Sequence, residues 1–455
     1  MITVVGMDGS ALGPQAEAAL AAATLVVGAR RHLAAVSALA PVHSRPAATA
    51  NGLPQARVVV LGELAPALDA LAAHEGDAVI LASGDPGFFG IVRALRERAL
   101  RFTVLPAVCS VALAFARAGL AWDDAVVVSA HGRNPRPAVN VCRAHPKVAV
   151  LTGPGCGPAE IAAALEGWDR RLVVAEHLGT EDERITECSP ADAAGRGWTD
   201  PNVVLVLAGS STTRAGSPTS RAASPGSPRD PGKVMNAPGW LAGAPGIPDG
   251  WALSEEAFDS RDAVITKAEV RALALARLGP GPGMLVWDVG AGSGSVGIEC
   301  ARFGAAVIAV ERDAVRCQRV QANAARHGVD VRVVAGPAPQ VLAELPDPDA
   351  VFVGGGGPEV VEAVAARHPA RIVVALAAIE RAGLATAALA AADYVADGAL
   401  VQAARFAPLP SAVHRLAAIN PVFLVWGTLP GTTETAGRTD GPGHGNRDTG
   451  PGAPR

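Results

Sequence analysis

The sequence predicts an α/β protein in two parts, and three observations carry that expectation. In both halves short Val/Leu/Ile runs alternate with Ala-rich segments of helical spacing, the pattern of parallel or mixed sheets flanked by helices. Between the halves, from Gly209 to Lys233, no side chain is a large aliphatic or aromatic, so that stretch cannot bury enough apolar surface to offset its ordering entropy. Early in the second half, Met284–Gly297 reads as a buried strand, a glycine turn and the start of a helix.

At 455 residues the chain exceeds one ordinary domain. The expected division is a domain over 1–208, a flexible linker over 209–245, a second domain over 246–428 and a disordered Gly/Thr/Pro-rich tail over 429–455. Hydrophobic residues make up 49% but aromatics only 4%, so Ala, Val and Leu must fill the cores. A formal net charge of −4 gives no global field for nucleic acid, and an anionic substrate must meet local arginines. Six cysteines without a C-x-x-C pair argue against zinc sites and a disulfide framework. No apolar run reaches transmembrane length, and Met1–Gly6 reads as a first strand rather than a signal peptide. The expectation is a soluble cytoplasmic enzyme acting on a small molecule, homo-oligomeric, with neither nucleic acid nor membrane as partner.

In the first half the candidate strands are Ile2–Val5, Leu25–Val27, Val58–Leu61, Ala78–Leu81, Phe102–Leu105, Ala125–Val128, Val148–Leu151, Leu172–Val174 and Val203–Leu207. A break near Ala107–Ser129 divides them into two lobes with a ligand cleft between. Directly after the Ala78–Leu81 strand comes Ser83-Gly-Asp-Pro-Gly-Phe-Phe-Gly90. Gly84 and Gly87 permit sharp turns, Pro86 fixes φ, and Asp85 is a cap or a ligand acceptor. Ser129-Ala-His-Gly-Arg133 follows another strand and places a hydroxyl, an imidazole and a guanidinium at a sheet's C-terminal edge, where ligands bind. A solvated loop is an equally good reading of it.

In the second half Asp288-Val289 ends the first strand, and Gly290, Ala291, Gly292, Ser293 and Gly294 form a turn that backbone or ligand can approach closely. The helix from Ser295 to Phe303 stops at Gly304. Val307–Val310 then leads to Glu311, an acid placed to accept hydrogen bonds from ribose hydroxyls. Gly292, Gly294 and Gly297 also satisfy G-x-G-x-x-G, which keeps NAD open. Asp288 favours a ligand with an ammonium group, as S-adenosyl-L-methionine (SAM) has, because a carboxylate there repels pyrophosphate. Upstream, Thr266 and Glu269 spell a T-x-x-E capping box opening a helix with Val270, Leu273, Ala274 and Leu278 on one face.

Val4-Val5-Gly6, Ser83–Gly90, Ser129–Arg133 and Glu176–Ile185 together resemble the tetrapyrrole methylase domain that acts at C5 in cobalamin (vitamin B12) synthesis. Gly246–Asp249, Thr266–Arg271, Trp287–Gly297, Phe352–Gly355 and Asn420–Phe423 resemble its C15 partner, a class I methyltransferase. Fused in this order, they resemble the decarboxylating C5,15-methyltransferase family of that pathway. The resemblance implies a two-lobed tetrapyrrole methylase fold followed by a Rossmann-like class I fold. It also implies SAM as cosubstrate, and a precorrin-6Y-type tetrapyrrole methylated at C5 and C15 with loss of the C12 acetate carboxyl.

Carried onto this chain, the resemblance implies that Gly6, Gly84, Asp85 and Pro86 line a first SAM site. Thr266, Asp288, Gly290, Ala291, Gly292, Ser293, Gly294, Glu311, Gly336 and Ala338 would line a second, with Gly354–Gly357 leaving space beside the methyl group. Substrate carboxylates call for arginines and lysines; the candidates are Arg30, Arg31, Arg133 and Arg136 in the first half, and Lys267, Arg271 and Arg415 in the second, although each taken singly reads first as a solvated surface charge. The nucleophile is a ring carbon, and no catalytic residue is nominated. The first loop, Gly6-Met-Asp-Gly9, is shorter than the family's Gly-Ile-Gly-x-x-Gly; Asp259–Val264 and Leu151–Cys156 depart from it too. Two alternatives stay open: an NAD-linked oxidoreductase, and a single-site methyltransferase whose first half only binds the tetrapyrrole. An amino-group methyltransferase is set aside, because its Asn-Pro motif belongs after the fourth strand, where Gly354-Gly355 stands, whereas Asn420-Pro421 lies near the chain end.

Overall fold

The computed structural model describes residues 1–39, 56–131, 134–209, 241–243, 248, 250–260, 265–410 and 413–431. The expected linker and tail fall mostly outside these residues, as do Gly132 and Arg133. The chain forms two compact units whose main segments are Met1–Asp249 and the residues from Gly250 onward.

The first unit contains two sheets. One is built from β1 (Ile2–Met7), β2 (Leu25–Gly28), β3 (Arg57–Val60), β4 (Ala78–Ser83) and β5 (Phe102–Leu105), all parallel, in the order β3-β2-β4-β1-β5. Successive residues face opposite layers. Val4, Leu25, Val27 and Ile80 pack with Leu68 and Leu71 of helix Leu64–Ala72, while Val5, Val26 and Leu81 pack with Leu20, Leu33 and Val36. The second sheet holds β6 (Val126–Ser129), β7 (Lys147–Leu151), β8 (Arg170–Glu176), β9 (Arg184–Cys188), β10 (Asn202–Ala208) and β11 (Leu241–Ala242), in the order β11-β6-β7-β10-β8-β9. It is mixed: β6 and β7 run parallel, whereas β10 is antiparallel to β7 and β8.

Helix Ser110–Ala118 lies in the expected break, capped by the Cys109 Sγ, which accepts the Ala112 N–H, and its Phe115 packs on the β6–β10 face. Every strand expected of the first half forms, Phe102–Leu105 with the expected bounds and the others with ends shifted by one or two residues. Strands β9 and β11 were not expected; β9 reads Arg-Ile-Thr-Glu-Cys on a sheet edge, where one apolar residue suffices.

The second unit carries β12 (Leu285–Val289), β13 (Ala306–Glu311), β14 (Arg332–Ala335), β15 (Ala350–Val353), β16 (Arg371–Leu376), β17 (Val395–Val401), a separate hairpin of β18 (Ala404–Pro408) and β19 (His414–Ala418), and β20 (Val422–Thr428). The sheet order is β14-β13-β12-β15-β16-β20-β17, with β20 antiparallel to β16 and β17. From β12 the chain builds outward to β13 and β14, then returns to start β15 on the other side. That reversal makes a crevice beyond the carboxyl ends of β12, β13 and β15, the place where open α/β sheets bind ligands. β12 and β13 are buried throughout, as strands covered on both faces must be.

The helix expected at Thr266 begins at Ala268 and runs to Leu278, with Lys267 at the N-cap, so Thr266 and Glu269 do not form a capping box. Both Glu269 oxygens are bonded to Arg405, at 2.8 and 2.7 Å, and cannot reach back to the cap. Glu255 takes over: its Oε1 accepts the Ala268 N–H at 3.1 Å, and the same carboxylate binds Arg405, which holds its pKa down at about 2. Val270, Ala274 and Leu278 are buried as expected, together with Leu275 and Arg271, while Leu273 is half-buried.

Candidate active sites

In the second unit the glycine turn is bonded to the strands on either side. Gly290 and Ala291 both donate to the Val310 carbonyl, at 2.9 and 3.1 Å, and Gly294 closes the turn on Ala291 at 2.8 Å. Gly292 sits at φ +59°, a conformation side-chain-bearing residues rarely adopt, and its N–H donates to Glu311 Oε2 at 2.9 Å. Glu311 Oε1 accepts the Asp313 N–H at 3.1 Å. Asp288 Oδ2 accepts the Gly297 N–H at 2.8 Å, tying the end of β12 to the new helix. On one flank Gly336 N–H donates to the Glu311 carbonyl, bringing Gly336 and Ala338 to the same edge; on the other, Gly354 N–H donates to Val289. A small hollow walled by Val353, Gly355, Val374, Leu376 and Arg381 opens beside that flank. Thr266 lies two residues before its helix, and no hydrogen bond among the described residues joins its side chain to the turn.

Two carboxylates thus converge on one crevice, both nearly inaccessible to solvent. Burial pushes the Asp288 carboxyl up to about 7, the Gly297 N–H offsets part of that, and the neighbouring Glu311 charge adds to it. No lysine or arginine is bonded to either acid among the described residues.

Asn323 takes part in this site although its sequence context gives no sign of it. Buried on helix Ala314–Arg326, it donates from Nδ2 to the Ser293 carbonyl at 2.9 Å and to Asp259 O at 3.1 Å, and accepts the Asp259 N–H at 2.8 Å. Arg271, expected at the substrate, is instead fully buried in an ion pair with Glu299 at 2.5 Å and bonded to the Thr266 and Leu253 carbonyls. Arg415, within β19, and Asn420, two residues after it, are both exposed.

In the first unit the loops after β1, β4 and β5 come together. A Cβ on Gly6 would stand 2.2 Å from the Gly84 carbonyl oxygen and 2.6 Å from Ala107 N, so the glycine is required by the approach of the three loops. Gly84 N–H donates to Met7 O at 2.7 Å. Asp85 Oδ1 accepts the Gly87 N–H at 2.8 Å, and Phe88 N–H returns to the Asp85 carbonyl, which fixes the turn around Pro86. Phe88 and Phe89 then pack against the second sheet's core.

The short first loop meets the other lobe directly, since a Cβ on Gly9 would lie 2.2 Å from the Gly179 carbonyl oxygen. Asp8, unremarked in the sequence, anchors it by accepting from Ser10 Oγ and N–H and from the Val108 N–H; the Ser10 hydroxyl is the main reason its pKa lies below the usual range. Arg30 and Arg31 open helix Arg30–Leu39, which follows β2, and Arg136 opens helix Arg136–Ala144 after β6. Of Ser129–Arg133, Ser129 ends β6 and His131 is exposed, while Gly132 and Arg133 are outside the described residues.

Residues 2–194 match the family described as Tetrapyrrole (Corrin/Porphyrin) Methylases, and residues 256–423 match the one described as Precorrin methyltransferase domain. Over 375 residues the chain is 36% identical to a Precorrin-6Y C(5,15)-methyltransferase [decarboxylating] from Sinorhizobium sp, covering 79% of each chain. It is 43% identical over 139 residues to a probable cobalt-precorrin-6B C(15)-methyltransferase (decarboxylating) from Pyrobaculum calidifontis, 29% of this chain and 68% of that one. It is also 32% identical over 216 residues to a cobalt-precorrin-7 C(5)-methyltransferase from Salmonella typhimurium, 46% of this chain and 98% of that one.

Proposed function

The chain belongs to the family of decarboxylating precorrin-6Y C5,15-methyltransferases, and from that premise we propose that each of its two units carries out one of the methylations. It is a methyltransferase of cobalamin biosynthesis with SAM as methyl donor, and the NAD-linked reading falls away. In our reading the unit built mainly from Met1–Asp249 methylates C5, and the unit from Gly250 onward methylates C15 and releases the C12 acetate carboxyl as CO₂. The observation that carries this for the second unit is the pair of buried carboxylates, Asp288 and Glu311, at the strand-order reversal, with no cation among the described residues bonded to them.

When bound, SAM supplies an electrophilic methyl on a sulfonium. Asp288 would hold its ammonium, Glu311 its ribose hydroxyls, and Gly336 and Ala338 would border the adenine. The acceptor is an enamine-like ring carbon that attacks directly, so the chain's work is to bring two reactants together rather than to furnish a strong base. The conjugated ring absorbs the electron pair left by CO₂ loss, and the former acetate methylene carbon then takes up a proton to become a methyl group. In the first unit, the Gly6, Gly84, Asp85 and Pro86 loops would border the other SAM.

Calorimetric stoichiometry on the intact chain tests the proposal. Two SAM per chain supports two catalytic units; one SAM, with a single methyl transferred, would leave the first unit as a tetrapyrrole-binding module only. The substrate class is an anionic tetrapyrrole. Among the described residues no helix is long and apolar enough to cross a membrane, and we place the protein in the cytoplasm. We also propose self-association, supported by the apolar side chains that the β18–β19 hairpin leaves exposed, Phe406 at 80% and Leu416 at 65%.

A further inference from the structure

Arg98, Arg117 and Arg171 of the first unit each pair with a carboxylate at 2.5 Å. Arg31 does not. Among the described residues its guanidinium bonds only neutral groups: Nη2 donates to Ser83 Oγ at 2.8 Å, and Nε donates to His32 Nε2 at 3.4 Å. The two sides of this contact come from neighbouring parallel strands, because Gly28 at the end of β2 is in register with Leu81 of β4. Arg31 lies just past the first strand end, and Ser83 opens the Ser83–Gly90 loop at the second.

His32 explains the arrangement. It is only 9% exposed, and its Nε2 lies 3.0 Å from Ser83 Oγ. Burial, with the adjacent Arg31 charge, keeps the imidazole below its ordinary pKa and therefore neutral. Arginine has no acceptor, so Ser83 Oγ accepts from Arg31; Arg31 Nε also donates to His32 Nε2, so that nitrogen is the unprotonated one and the hydroxyl proton turns towards it. The imidazole orients the hydroxyl and the hydroxyl orients the guanidinium, yet nothing in the chain of bonds neutralises the arginine. An arginine held in place without a counter-ion is a pre-organised receptor for a carboxylate.

We propose that Arg31, aimed by Ser83 and His32, binds a carboxylate of one of the two reactants at the first unit's site. Ser83 and His32 are positioning residues. The inference rests on reading the first unit as the C5 methylase. Two sources share this chemistry, a side-chain carboxylate of the tetrapyrrole and the methionine carboxylate of SAM.

The experiment uses the full chain and follows C5 and C15 methylation by mass spectrometry, with tetrapyrrole and SAM binding measured separately by absorbance titration and calorimetry. Arg31→Gln is expected to raise one reactant's KM and dissociation constant at the C5 step about 10- to 100-fold, the cost of a lost charged hydrogen bond. C15 methylation, unchanged, shows that the second unit is intact, and an unchanged constant for the other reactant at the C5 step shows that the first unit remains folded. A rise confined to the tetrapyrrole assigns the carboxylate to its side chains, and methyl-esterifying the substrate then removes the difference between wild type and variant. A rise confined to SAM assigns it to the methyl donor. Arg31→Lys should recover part of the loss, and Ser83→Ala should raise the same KM several-fold with kcat unchanged. If Arg31→Gln leaves both reactants' constants unaltered, or lowers C5 and C15 methylation together, the inference is wrong. Wild type that binds tetrapyrrole but never methylates C5 would overturn the C5 assignment instead, and the binding titrations would still decide the role of Arg31.

Discussion

Glu311 Oε2 accepts the Gly292 N–H at 2.9 Å across the gap between β13 and the turn after β12. With Oε1 accepting from Asp313, the carboxylate is oriented before any ligand arrives, and each oxygen keeps capacity for a further donor. Glu311 therefore both shapes the turn and is positioned to bind what the turn receives.

Glu311→Ala should weaken SAM binding at the second site by about 1–3 kcal/mol, the usual effect of removing a charged acceptor. Calorimetry on the intact chain measures it. An unchanged affinity would remove Glu311 from the cofactor site.

If Asp288 holds the SAM ammonium, as we propose, SAM affinity depends on pH. Its carboxyl is raised from 3.8 to about 7 in the ligand-free fold. This group's contribution to stability is therefore full below about pH 4, falls as pH rises towards 7, and stays at its lowest above that. A bound ammonium favours the ionised form, so below pH 7 binding must expel a proton. SAM affinity should fall by up to about tenfold per pH unit from 7 towards 5.5, and Asp288→Asn should flatten the profile. A flat profile in the wild type would contradict the assignment.

Gly292→Leu places a side chain at a φ of +59°, and should abolish C15 methylation and CO₂ release while C5 methylation continues. Asp85→Ala removes the acceptor of the Gly87 N–H and should do the reverse. Product mass spectrometry reads both. Loss of both methyls in the Gly292 variant, or of neither in the Asp85 variant, would mean that the units are not separate catalysts.

Arg271→Met leaves Glu299 buried without its partner, and should destabilise the second unit by about 3–5 kcal/mol in denaturant unfolding. A KM effect on the tetrapyrrole without loss of stability would return Arg271 to the substrate.

Phe406→Glu on the exposed hairpin should lower the assembly state measured by light scattering and leave SAM binding in place. Identical masses for variant and wild type would remove the hairpin from any self-association.

What the sequence made legible follows from how locally each feature is specified. The first-half strands were visible because their apolar runs stand between Gly, Pro and Asp, and Asp288 and Glu311 because an acid ending a buried strand is unusual. Asn323 was not visible, since its partners lie 30 and 64 positions away and an asparagine within a helix gives no local signal. The capping box failed for the same reason: Glu269 has a competing partner, Arg405, 136 positions distant. β18 and β19 are solvated, with mostly exposed side chains, so neither periodicity nor burial marked them.

The carboxylate of Glu299 also accepts the Ala252 and Leu253 N–H groups, at 2.6 and 3.0 Å, while Glu255 caps the following helix. The stretch around Ala252–Glu255 is thus an inward-bonded strap of the second unit, although it precedes every strand of that unit's sheet. A gene fission separating the two units would have to fall upstream of Gly250. A break nearer Thr266 would strand a buried glutamate and arginine without their backbone partners, and the severed half would lose the clasp on its own first helix.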